Sequence, residues 1–207
     1  MSIAALNVPG RPIQGLVVHT ELMDGRMVCI RAMKPDDEAL LRTGITNLST
    51  HSRYLRFFSV QPMPPDRVID KLLAVDGHRH IGWGAIHSGD EQPIGAVHVV
   101  RPHEQSISGE FSVAIVDAFH HLGLARMLTA VIMKHSLIEG VTSLDVQVLS
   151  ENRAALNLIR SLGGERCGSE FSVTEYTLDV ANALDRLQAG ADFQGLKDVL
   201  RELAAYR

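Results

Sequence analysis

The stretch best equipped for chemistry runs Glu110-Phe-Ser-Val-Ala-Ile-Val-Asp-Ala-Phe-His-His-Leu-Gly-Leu-Ala-Arg-Met-Leu128. An apolar strand empties into a turn, and a helix starts directly afterwards at Gly123. Gly123 and Ala125 leave little side-chain bulk there, so unpaired backbone N–H groups converge on one point. Free amides and the positive end of the helix dipole both favour negative charge, and Arg126 in the first turn adds a full positive charge. A phosphate-bearing ligand is the natural occupant.

The elements that must hold this point can be read outward from it. Leu124, Leu128, Val131 and Ile132 share one helical face, and Gly140 ends that helix. Before it, His80 to Ile86, Pro93 to Arg101 and Ser108 to Val116 read as three strands whose short polar connectors favour an antiparallel meander. After it, Ser143 to Leu149 alternates like a strand. Ser150 is placed to cap a helix with the stripe Ala155, Leu158, Ile159 and Leu162, which Gly163-Gly164 closes. A last strand is expected within Phe171 to Leu178. Upstream, Met27 to Arg31 reads as a strand, and Pro35-Asp36-Asp37 and Pro64-Pro65-Asp66 open helices. The order predicts an α/β fold, a mixed sheet with helices on both faces.

The 207 residues suit one core with an appended element. Residues 1–25, with Pro9, Gly10, Pro12 and Gly15, read as an extended leader whose loss should be tolerated. Residues 26–178 form the core domain and 179–207 a helical tail, whose stripe at Leu196, Leu200 and Leu203 needs burial within the chain or across a homodimer interface. The formal charge of −4 comes without a basic cluster, which argues against nucleic acid as a partner. No apolar run is long enough for a membrane span. Two cysteines, Cys29 and Cys167, suit a reduced cytoplasmic chain. The ten histidines include His78-x-His80 and His120-His121, but zinc-site spacing is missing, so they read as ordinary surface or loop residues and no metal is expected.

The spacing around Gly123 resembles motif A of the GNAT N-acetyltransferases, Gln/Arg-x-x-Gly-x-Gly/Ala, here His120-His121-Leu122-Gly123-Leu124-Ala125. Asn152-x-x-Ala155-x-x-Leu158-x-x-x-x-Gly163 is similar to the family's second motif, and the order of elements from Arg31 to Gly164 also matches. The resemblance implies the GNAT fold and acetyl-CoA as co-substrate. Its pyrophosphate would lie on the amides of His120, His121, Gly123, Leu124, Ala125 and Arg126, with Asn152 nearby. Backbone N–H groups near Val113 and Ile115 would pair with the pantetheine arm and polarise the acetyl carbonyl. His120 replaces the usual Gln or Arg, yet a helix-start imidazole can still donate to phosphate. Ile159 stands where many members carry a Tyr that protonates the leaving thiolate.

A finer resemblance links Ser49-Thr-His-Ser52-Arg53-Tyr-Leu-Arg56-Phe57-Phe58, Asp76 and Gly109-Glu110-Phe111 to the GNAT domain of bacterial Pat-type protein-lysine acetyltransferases. In that group the Glu at the Glu110 position is the general base, and the Tyr is often missing. Alone, the Ser49 to Phe58 segment reads equally well as helix packing. A lysine acceptor must shed a proton of pKa about 10.4, at a cost of about 4.6 kcal/mol at pH 7. Glu110 suits that task if partly buried at the strand opening. Direct transfer to a primary amine follows, with a protein lysine, a small-molecule amine, or a catalytically weak acyl-CoA-binding module as the three readings.

Overall fold

Residue alternation builds most of this molecule, whose computed structural model describes residues 12–206. Strands β1 (Val17–Glu21), β2 (Met27–Ala32), β3 (His80–His87), β4 (Pro93–Val100), β5 (Ser108–Ile115), β6 (Ser143–Leu149), β7 (Glu165–Glu170) and β8 (Val173–Asp179) form one sheet in the order β1-β2-β3-β4-β5-β6-β8-β7. Every pairing is antiparallel except β5 with β6. The helices are α1 (Glu38–Asn47), α2 (Thr50–Phe57), α3 (Asp66–Leu73), α4 (Leu124–Ile138), α5 (Arg153–Ser161), α6 (Val180–Ala189) and α7 (Gln194–Leu203). The mixed sheet, the central meander and the long helix after it follow the expected order.

Period-two alternation sends Trp83, Val97 and Phe111 to one face, where α4 crosses β3, β4 and β5. Leu124, Met127, Leu128, Val131 and Ile132 of α4 are fully buried against them. Burying each such side chain contributes about 2 kcal/mol. Ala96, His98, Ser112 and Glu110 alternate to the opposite face, where α1 packs on β4 and α2 on β5 without covering Glu110. There Ile45, Ile69 and Leu73 form a small separate core among α1 to α3.

The leader is the main correction. Its first eleven residues lie outside the described part, but β1 pairs along β2 from Val17↔Arg31 to Glu21↔Met27, and Ile13, Leu16, Val18 and Leu22 enter the main core. The Pro and Gly residues that suggested an extended lead-in all precede this strand. The tail is equally committed. Leu196, Val199 and Leu203 are buried within the chain, α6 and α7 pack on α4, and α7 packs on β1. Gly195 approaches Glu21 so closely that an added Cβ would strike the Glu21 carbonyl oxygen. Thr20 also donates its hydroxyl to Asp198 at 2.9 Å.

Two smaller expectations shift. Ser150 does not cap α5; Asn152 does, accepting from the Ala155 N–H at 3.0 Å, while the Ser150 N–H donates to the Ser172 carbonyl. The last strand is a hairpin, because β7, an exposed edge strand without apolar alternation, folds back along β8.

Three histidines read as ordinary surface or loop residues are buried: His80, His98 and His135. His135 accepts the Trp83 indole N–H at 3.0 Å. Burial holds its imidazole at about 4, below the ordinary 6.5, and the Glu139 carboxylate offsets this only in part. The unfolded chain therefore takes up this proton near pH 6.5, whereas the folded chain waits until about 4. The resulting stability is complete above pH 6.5 and drains away as pH falls toward 4, by an amount on the order of 3 kcal/mol. His80 and His98, also lowered by burial, act with the same sign.

Two outcomes are expected. Denaturant midpoints should fall as pH drops from 6.5 to 4, and His135→Gln, which still accepts from Trp83, should flatten part of that fall; an unchanged profile removes His135 as a cause. Leu22→Ala should cost about 3 kcal/mol in equilibrium unfolding. A cost near zero would return Leu22 to an expendable leader.

Candidate active site

Strands β5 and β6 are paired for only three residues, Ser108↔Ser143, Gly109↔Leu144 and Glu110↔Asp145. Beyond Glu110, β5 stays with β4 as far as Ile115, while β6 stays with β8 to Leu149. The sheet splits there, and the facing edges of the two strands have no partner strand. The split opens into a cleft of about 500 Å³. Val113, Ile115, His120, His121, Gly123, Leu124, Ala125, Arg126 and Asn152 all line it, so every residue expected at the cofactor is in one place. An adjoining opening of about 110 Å³ shares Val113, Asn152, Ala155 and Leu158 with the cleft and holds Glu110, Arg56, Ser112 and the buried Ile159.

The turn leading into α4 is built by its own side chains. Gly123 caps the helix at φ +85° with no side-chain hydrogen bond, so the Leu124 and Ala125 amides head α4 where the helical ladder supplies no acceptor. His121 shares the left-handed conformation at φ +60°. His120 lies before the helix rather than at its start, and its Nε2–H donates to the Ile115 carbonyl at 2.9 Å. That leaves Nδ1 as the acceptor nitrogen of the neutral ring, able to donate only when the ring is protonated. Arg126 is likewise engaged, with Nη1 on Asp192 at 2.7 Å and Nη2 on the Gly190 carbonyl. Asn152 uses its side-chain oxygen as the α5 cap, which leaves its NH₂ to offer the cleft.

Asp117 holds the turn in place, a role its sequence position did not reveal. Its carboxylate accepts the Ser49 N–H at 2.9 Å, the Ser49 hydroxyl at 2.7 Å and the Ser52 hydroxyl at 2.8 Å. Burial alone would raise this carboxyl, but the bonds from Ser49 and Ser52 outweigh it and hold it at about 2. The Ser49-x-x-Ser52 pair thus fastens the start of α2 to the turn. At its other end α2 delivers Arg56, whose Nη2 donates to the Ser112 hydroxyl at 2.8 Å. Loss of water lowers the Arg56 guanidinium, and the charge on Glu110 works against that lowering. Beneath it, His98 Nδ1 lies 3.0 Å from His80 Nε2, both rings buried.

Glu110 departs from expectation. It is exposed at the mouth of the split rather than partly buried. What it has instead is a neighbouring guanidinium and open access to solvent. The described residues contain no group of three His, Cys, Asp or Glu placed to hold a metal, and no helix among them is long and apolar enough to cross a membrane.

The geometry agrees with what the chain resembles. Residues 27–165 match the model of the acetyltransferase (GNAT) domain. The acetyltransferase Pat of Mycolicibacterium smegmatis is 22% identical over 163 residues, covering 79% of this chain and 49% of that protein, so the chain spans about half the length of this relative. The GNAT domain of S. lividans PAT superposes with a TM-score of 0.72 at 20% identity, over 79% of this chain and 96% of that one. Spermidine N-acetyltransferase from Vibrio cholerae, in complex with CoA and spermine, gives a TM-score of 0.59 at 17% identity, over 76% and 98%. With the split strands, the glycine-headed helix and the family match falling on the same residues, the chain belongs to the GNAT acetyltransferase family.

Proposed function

We propose that the protein is an acetyl-CoA-dependent N-acetyltransferase acting on a primary amine, a protein lysine by preference, with Glu110 as general base. One observation carries the reading: the β5–β6 split joins an anion-binding helix start at one end to a carboxylate at the other. The residues present suit the cofactor. The side-chain-free cap at Gly123 presents the Leu124 and Ala125 amides to a pyrophosphate, His121 and Ala125 line the same turn, and the unpaired edge near Val113 and Ile115 suits the pantetheine amides. Bound acetyl-CoA supplies an activated acetyl thioester and departs as the thiol.

The chain's own residues do the rest. Glu110, directly or through a water, takes a proton from the acceptor ammonium, so that the freed nitrogen lone pair attacks the acetyl carbon. The N–H groups on the open edge of β5 polarise the carbonyl oxygen as charge develops there. Ile159 offers no proton to the leaving sulfur; the weakly basic thiolate takes up, through solvent, the second proton that the attacking nitrogen sheds as the amide forms.

The acceptor end favours a lysine on a macromolecule. An opening of about 110 Å³ admits the end of an extended side chain but is far smaller than the roughly 300–1,000 Å³ of pockets that enclose small molecules. Phe58 lines it and stays exposed, as a contact for a protein surface would. Similarity to Pat supports the same acceptor. The spermine complex of a fold neighbour keeps small amines as the second reading, and the absence of a Tyr at Ile159 keeps a weakly catalytic acyl-CoA-binding module as the third. Unpaired Cys29 and Cys167 accord with a cytoplasmic setting.

Incubation with acetyl-CoA and either a lysate or an amine panel, following acetyl-lysine and free thiol, separates the three readings; no thiol release with any amine would sink the enzymatic ones. Glu110→Gln should lower kcat/KM at neutral pH by about 100-fold with acetyl-CoA binding kept. Full turnover with an unshifted pH profile would discard Glu110 as base. In Gly123→Val, a Cβ would lie 2.7 and 2.9 Å from two Phe193 ring carbons at a φ of +85°. Calorimetry should then find acetyl-CoA binding abolished, and micromolar affinity would refute the pyrophosphate site.

A further inference from the structure

Arg126 stands in the first turn of the helix that heads the cleft, where a free guanidinium would reach for phosphate. It is not free. Nη1 pairs with Asp192 at 2.7 Å, Nη2 donates to the Gly190 carbonyl, and the guanidinium lies 5.4 Å from the centre of the Phe193 ring. That ring is packed against Gly123, since an added Cβ there would meet three of its carbons. On the other flank, Met23 donates its N–H to the Leu122 carbonyl at 3.2 Å. Arg26 donates to the Ala118 carbonyl at 3.0 Å and stacks 4.2 Å over Phe119. The turn from Ala118 to Arg126 is thus gripped between the β1–β2 connection and the α6–α7 linker. Met23, Arg26, Gly190, Asp192 and Phe193 all lie outside the residues 27–165 that match the family domain.

We infer that Arg126, Asp192 and Phe193 form a positioning unit that holds the Gly123 turn in its anion-binding conformation, so that the C-terminal segment sets cofactor affinity and Arg126 is not a phosphate ligand. The contacts exclude the two roles from operating together. For Arg126 to reach a phosphate it must leave Asp192, the Gly190 carbonyl and the face of Phe193. Releasing Phe193 removes the support behind Gly123, so the movement that frees one cation loosens the amides. A guanidinium already paired with a carboxylate also brings little net charge to the cleft.

The inference rests on the acetyl-CoA reading of the cleft, so one readout is chosen that needs no cofactor. Asp192→Asn, Phe193→Leu and Arg126→Gln are compared for amide exchange in the unliganded protein, for the acetyl-CoA Kd across a range of salt, and for kcat. Asp192 is 70% exposed, so its replacement should leave the fold intact, with the thermal midpoint as control. Each variant should speed exchange of the Arg126 and Met127 amides, which donate to the Gly123 carbonyl, and raise Kd about fivefold. The Asp192→Asn/Arg126→Gln double variant should be no worse than either single one. Asp192→Asn should keep kcat at saturating acetyl-CoA, and the salt dependence should be unchanged throughout. Tighter binding by Asp192→Asn, or a salt dependence flattened by Arg126→Gln alone, would make Arg126 a phosphate ligand and overturn the inference. Unaltered amide exchange would overturn it too, even if the cleft takes another anion; failure of the unmodified protein to bind acetyl-CoA would instead strike the cofactor reading.

Discussion

Parallel pairing between β5 and β6 stops after Glu110, and backbone groups on the two facing edges then lack partners within the sheet. Inside a protein such groups cannot stay unsatisfied cheaply, so an edge of this kind must meet water, a side chain or a ligand. Much else follows from that separation. The turn after β5 can run straight into α4, because no neighbouring strand obstructs it. Helix α5, starting at Asn152, supplies the opposite wall, with Ala155 and Leu158 half-buried along the cleft rather than fully in the core. The split also divides labour along β5. Val113 and Ile115 line the cleft beside the start of α4, and Glu110, at the last paired position, stands where the two strands begin to part.

Charge in this site is managed locally. A chain of net charge −4 attracts a polyanion poorly at long range, and the one arginine at the helix start is already paired. What remains is the dipole of α4 and two or three amides at a glycine cap, interactions that depend on geometry more than on charge. The surroundings accordingly fix geometry. Asp117 ties the turn to α2 through Ser49 and Ser52, His120 ties it back to Ile115, and the β1–β2 connection and the α6–α7 linker press on it from outside. Arg56 contributes the complementary charge, a cation near Glu110, the one charged side chain of β5.

Legibility in the sequence followed how local each cause is. Gly123 and Ala125 could be read because a glycine cap and a helix start are decided within a few residues. The meander could be read because β3, β4 and β5 alternate strongly between short polar connectors. β1 was obscured by the Pro and Gly residues before it, although Val18 and Thr20 point inward at strand spacing. β7 gave no signal, since an edge strand exposed along nearly its whole length needs no apolar residues. The partners of Asp117, Arg126 and Gly123 lie 64 or more residues away in sequence, so pairing rather than type decides their roles. Arg126 shows the difference: its type and position suggest a phosphate ligand, and only the fold brings Asp192 to it.

Glu110 presents the opposite case, a residue legible by position whose environment was not. Strand burial is set by what crosses the face, and α2 covers Ser112 through Arg56 while stopping short of Glu110. An exposed carboxylate is a poorer base than a desolvated one, yet it is reachable by a side chain carried on a large partner. Binding such a partner would itself exclude water from the mouth of the split. Desolvation of Glu110 would then arrive with the substrate instead of being built into the free protein. Under the proposed function, that arrangement would couple proton uptake by Glu110 to the arrival of the acceptor.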